Sequence, residues 1–102
     1  MSMTQTQAAA ALGLSMNEFW SLTGNPQFPA PISTDDLGLN VLWANADITN
    51  FVTLMAQASA NGWTWDSNDL AGADWATLAS SSPGPYAFAV TRQGGGAPGL
   101  FD

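Results

Sequence analysis

Carboxylates are nearly the only side chains in this sequence suited to acid–base or metal chemistry. Its 102 residues hold eight Asp and Glu against one Lys or Arg, with no His and no Cys. The usual pairing of a nucleophile with a His or Lys base is therefore missing, and so are thiolate and Cys-based zinc sites. A carboxylate acts as general acid or base only where a pocket moves its pKa. The densest acidic group, Asp66, Asn68, Asp69 and Asp74, invites a calcium reading. It departs from a calcium-binding loop at the fifth residue, Leu70, and at the sixth, Ala71, where glycine is required for the turn. Helix capping along a solvated edge accounts for these residues better. Asp35-Asp36 reads as a turn pair. Gly94-Gly95-Gly96 follows a candidate strand, but no helix bearing a Lys comes after it, so it reads as a tether and not a phosphate loop. The expectation is a protein that is not an enzyme, with no metal, no cofactor and no small-molecule substrate.

The composition points the same way. Net charge is −7 and the isoelectric point about 4.1. Nucleic acid and anionic membranes repel such a chain. Charged residues make up 9% of the sequence and apolar residues 46%, against roughly 25% charged in an average globular domain. Disorder requires the opposite balance, so the body of the chain is expected to fold as one small domain. Five Trp and five Phe supply stiff, bulky pieces of core or interface. A weakly charged, Trp-rich surface suits burial against other proteins. "MSMTQTQAAA" lacks the charged and apolar runs of a signal peptide, and no apolar stretch has the roughly 18 residues of a membrane span.

Several elements can be read from their punctuation. Met3 to Gln7 opens a first helix, with Thr4 and Gln7 as a capping box and Met3 placed to staple onto Ala8. Gly13 ends it in the left-handed conformation. Ser15 and Glu18 form a second capping box, and Phe19, Trp20 and Leu22 give the second helix its apolar side before Gly24. "NPQFPAPI", residues 25–32, is held extended by its prolines, with Phe28 and Ile32 as anchors. Ile32-Ser33 and Val41-Leu42-Trp43 read as two strands of a small hairpin around "TDDLGLN". Asn45 caps a third helix, whose Ile48, Phe51, Val52 and Met55 fall on one face. Trp63-Thr64-Trp65 alternates like a strand. Residues 68–79 predict a fourth helix with Leu70, Trp75 and Leu78 inward. Of Trp63, Trp65 and Trp75, two are expected in the core. Tyr86, Phe88 and Val90 alternate as a last strand, and residues 92–102 form a Gly-rich tail with an apolar tip, Leu100-Phe101.

Three stretches in order, "TQTQAAAALGLSMNEFW", "PQFPAPI" and "VLWANADITNFV", resemble the AlpA and excisionase-type winged helix-turn-helix proteins, relatives of the MerR class. The resemblance covers residues 3–52. It implies an α+β, mainly α fold: a winged helix-turn-helix over residues 1–62 with a short β-hairpin wing. A helix and strand extension over 63–91 would pack on it in the same domain. It further implies an origin in a phage or mobile element. The family carries Arg and Lys on its second helix and wing; here those places hold Met16, Asn17, Glu18 and Ser21, then Asp35, Asp36, Leu37, Leu39 and Asn40. The DNA-holding residues are missing from an intact framework.

The functional expectation is protein–protein docking or self-assembly, as a small virion component or as a phage-encoded binder of a host protein, anti-CRISPR-like. Its location would be the virion or the bacterial cytoplasm. The contact residues would be Met16, Asn17 and Ser21 on the second helix, Leu37, Leu39 and Asn40 on the wing, and Leu100 and Phe101 on the tail. The alternative is a DNA-binding transcriptional regulator of the AlpA or excisionase type, working as an oligomer because the chain lacks cations to bind alone.

Overall fold

Two reciprocal capping boxes start the first two helices. A computed structural model describes residues 1–83. In it the Thr4 hydroxyl accepts from the Gln7 N–H, and Gln7 Oε1 accepts from the Thr4 N–H, so helix α1 spans Gln5–Leu12. Gly13 closes it at φ +74°, with its N–H donating to Ala10 O and the Leu14 N–H to Ala9 O. A side chain with a Cβ is strained at that φ, which is why glycine stands there. Ser15 and Glu18 repeat the device, and α2 spans Met16–Thr23.

The hairpin forms where its sequence places it, with β2 at Ser33–Thr34 and β3 at Val41–Ala44. A third strand, β1 at Ser2–Thr4, lies on the other side of β3, so the antiparallel order is β1-β3-β2. This strand was not expected: residues 2–4 carry no alternation, and Met3 and Thr4 were read only as the start of α1. Tertiary pairing makes the strand. Met3 lies opposite Trp43 and packs on the core.

Helix α3, Asn45–Ala60, runs on from β3 and buries Ile48, Phe51, Met55 and Ala58. The expected cap at Asn45 is corrected. Ala44 is the N-cap and makes no side-chain bond, while Asn45 is already helical. The Asn45 N–H instead donates to the carbonyl of Met1, the residue before β1, which takes over part of the capping. Asn61 and Gly62, at φ +106°, end the helix as expected.

Two further expectations change in the last third. Trp63-Thr64-Trp65 belongs to no strand and has no regular secondary structure. The single fourth helix is two pieces: a 3₁₀ turn at Ser67–Asp69 and α4 at Trp75–Ser80. Asp66 caps the first and Asp74 the second, so the acidic residues between interrupt one another's helix. Leu70, Trp75 and Leu78 are buried as expected. So are Trp63 and Trp75, with Trp65 half-buried. The candidate strand at Tyr86, Phe88 and Val90 and the tail lie outside the described residues.

One cluster of buried side chains runs from Ala8 to Leu78, so the segment after Gly62 shares the core of the first 62 residues. The fold is α+β, mainly α. Asn25 ties its parts together. It is buried, and its Nδ2 donates to Leu70 O at 3.0 Å and to Ala73 O at 2.8 Å. Its Oδ1 accepts from the Gln27 N–H at 2.8 Å. Replacing Asn25 with Ala takes the partner from the Ala73 carbonyl and the Gln27 N–H, while Leu70 O keeps only the Trp75 indole N–H at 3.3 Å. Stability to urea is expected to fall by about 2–4 kcal/mol. A loss under about 1 kcal/mol would mean that water restores those bonds.

Candidate docking face

The wing is a fixed turn with two leucines pointing outward. Asp35 organises it. Its Oδ1 accepts from the Leu39 N–H at 2.9 Å and the Asn40 N–H at 3.3 Å, and its Oδ2 from Asn40 Nδ2 at 2.7 Å. Its backbone pairs with Asn40 O and with the Gly38 N–H. Gly38, at φ +70°, gives the reversal that lets one carboxylate reach both amides. Gln5 of α1 then holds the turn to the body. Its Nε2 donates to Asn40 Oδ1 at 3.0 Å and its Oε1 accepts from the Val41 N–H at 2.9 Å. Leu37 and Leu39 are left 79% and 73% exposed.

This divides the residues that the sequence singled out on the wing. Leu37 and Leu39 are free to meet a partner. Asn40 is half-buried, and both ends of its amide are used inside the turn, so it positions the wing. Gln5 was missed. The only sign of it in the sequence is a polar residue in the first turn of a helix rich in alanine.

On α2, Met16, Asn17 and Ser21 are exposed, as a contact role requires. Asn17 and Ser21, with Ser15, Glu18 and Ser67, line an open groove of about 460 Å³. Its walls have no aromatic or aliphatic side chain, unlike those of a small-molecule pocket. The groove exists because the 3₁₀ turn lies beside α2, where the Ser67 hydroxyl donates to Glu18 Oε2 at 2.7 Å. Leu100 and Phe101 fall outside the described residues.

Trp20 and Ile32 are corrected. Trp20 on the apolar side of α2 and Ile32 as an anchor are both expected to be covered, yet they are 45% and 57% exposed. Trp20 leans on the rings of Phe19 and Trp43, with centroids 5.2 and 6.2 Å away. Trp43 itself is enclosed by Phe19 and Phe28 and donates its Nε1 hydrogen to Pro29 O, which leaves the second indole outside. Ile32 is fixed by its N–H to Leu42 O at the sheet edge.

The charge is one-sided. Every acid but Asp102 and none of the Lys, Arg or His belong to the described residues. Asp74 is held below the ordinary aspartate value by Gln27 Nε2 at 2.6 Å and then by Thr77. Glu18 is lowered first by the Ser15 amide and then by Ser67. No group of three metal-ligating side chains occurs among the described residues, and no helix there is long and apolar enough to cross a membrane.

The Asn40 amide, above all, and then the turn N–H groups, lower the Asp35 pKa from its ordinary 3.8. The folded wing thus favours the carboxylate over the acid. Its contribution is full above the unfolded value and is lost as pH falls through the lower, folded one. The Leu39 amide resonance is expected to titrate with a midpoint below 3.8. A midpoint at or above that value would remove Asp35 as the organiser of the turn. Compared with known families, curated proteins and solved structures, the chain matches none.

Proposed function

We propose that this chain is a docking protein of phage type, without chemistry of its own, that engages a protein partner through its wing and the exposed side of α2. Its place would be a virion, as a small assembly component, or the host cell, as a binder of one host protein. One observation carries the reading: two leucines stand almost fully in water on a turn locked by Asp35, Asn40 and Gln5. A turn whose backbone is already fixed loses little further backbone freedom on binding, so more of the burial of its side chains becomes affinity. Anchors of this kind dominate protein interfaces.

The DNA-binding alternative has less support. Non-specific affinity for DNA comes from cations that displace counterions, and the described residues have none on their side chains. The N-terminus of α2, where a phosphate would sit, holds the Glu18 carboxylate and the Ser15 hydroxyl. The 3₁₀ turn lies against the same helix through Ser67.

The test uses the full chain and a Leu37→Ser/Leu39→Ser variant. Their unfolding midpoints should agree, since exposed substitutions change stability by about 0.5 kcal/mol or less. The full chain should copurify in defined stoichiometry with a protein from its own particle or host. The variant should bind that protein at least tenfold more weakly. Micromolar binding to random duplex DNA that weakens steeply with salt would overturn the proposal and return the chain to the regulators its sequence resembles.

A further inference from the structure

Asn61-Gly62, the pair that ends α3, is the one Asn-Gly pair in the sequence. Such a pair carries chemistry of its own. The backbone nitrogen after an asparagine is a nucleophile within reach of the side-chain carbonyl, and glycine, with no Cβ, leaves that nitrogen unshielded. We propose that Asn61 is a self-modification site, closed by the packing of α4 against α3, that deamidates when α4 lifts away.

The step needs no reagent but water. The Gly62 nitrogen gives up its proton and bonds to Asn61 Cγ. The Cγ–Nδ2 bond breaks, and Nδ2 leaves as ammonia, so a five-membered imide remains. Water then opens the imide at either carbonyl, leaving an aspartate or an isoaspartate at this position.

The fold opposes each part of that step. Asn61 Nδ2, the leaving group, donates to Leu78 O and to Ala79 O, both at 3.0 Å. The Gly62 N–H donates to Ser59 O at 3.0 Å. Ring closure needs Cβ and the Gly62 nitrogen eclipsed about the Asn61 Cα–C bond. At the observed ψ of −11° the Asn61 main-chain nitrogen takes that place instead. Turning ψ would swing the chain after Asn61 away from α4. That chain is held: Trp63 Nε1 donates to Ser81 O at 2.8 Å, and Pro83 lies so close to Gly62 that a Cβ there would meet its ring at 3.6 Å. The ring therefore closes only when this corner opens.

The product does not restore the corner. The last carbonyls of a helix have no partner within it, and Asn61 serves two of those in α4. A carboxylate has no hydrogen to donate and would face both oxygens. An isoaspartate lengthens the main chain at the turn. Either one weakens the seat of α4, whose Trp75 and Leu78 are core residues. The inference is independent of the docking proposal, because the wing and α2 take no part in it.

The test incubates full-length protein at mildly alkaline pH, folded and in guanidinium chloride. Ammonia release, isoaspartate content and peptide mapping give the rate at Asn61. The unfolded chain is expected to react at least about tenfold faster than the folded one. Trp63→Phe removes the bond to Ser81 O, and under folding conditions it should raise the rate severalfold. Asn61→Asp should unfold at lower denaturant at neutral pH. Its carboxyl, facing carbonyls, would have a raised pKa in the fold, so the stability it adds is present at low pH and lost as pH rises. The gap to the parent chain should therefore narrow on acidification. Equal rates in folded and unfolded protein would overturn the proposal, and an unchanged rate in Trp63→Phe would overturn α4 as the gate. An Asn61→Asp chain as stable as the parent at neutral pH would overturn the loss of the seat.

Discussion

Trp43 is the residue around which the molecule is arranged. It stands on the central strand, with Met3 opposite on β1, and the chain turns into α3 two residues later. Phe19 and Phe28 meet its ring edge to face, and its indole N–H is satisfied by Pro29 O. Aromatic pairs in this geometry add about 0.5–1.5 kcal/mol each beyond simple burial. The contacts continue from Phe28 to Phe51, from Phe51 to Trp75 and from Trp75 to Trp65. One aromatic chain thus joins α2, the proline loop, the sheet, α3 and α4. Trp20 is exposed because that place against Trp43 is already filled.

A core built this way leaves the polar side chains to fix the connections. The described residues carry no Lys or Arg to form salt bridges, and amides do the task instead. Asn25 holds the loop before α4, Gln27 bonds Asp74 at the start of α4, and Asn61 bonds the Leu78 and Ala79 carbonyls at its end. The acids become acceptors at caps and turns. For Glu18, Asp35 and Asp74 these hydrogen bonds favour the carboxylate over the acid, which adds to the negative potential of the body. The wing follows the same logic, since Asp35 spends its carboxylate on amides of its own turn and thereby fixes the leucines beside it.

Much of the helical part was legible because its signals are local. Thr4 with Gln7, Ser15 with Glu18, Gly13 and Gly62 act over three or four residues, and each stands where its spacing places it. The apolar face of α3 follows from period alone. The hairpin was legible from its turn residues. Asp66 and Asp74 were read as caps, yet their consequence was missed: two caps so close divide one helix in two.

What the sequence by itself determined is the set of local starts and stops, the α+β class, the surplus of acid and the absence of His and Cys. These depend on near neighbours or on counting. The tertiary structure decided which of the apolar residues are covered. Met3 became a strand residue because β3 had an open side, and Asn45 ceased to be a cap because Met1 came to meet its amide. Trp20 stayed outside because Phe19 and Phe28 enclose Trp43. Asn40 turned inward because Gln5, 35 residues away, donates its amide hydrogen to Asn40 Oδ1. Each of these depends on contacts between distant parts of the chain, and periodicity and capping rules carry no information about such contacts.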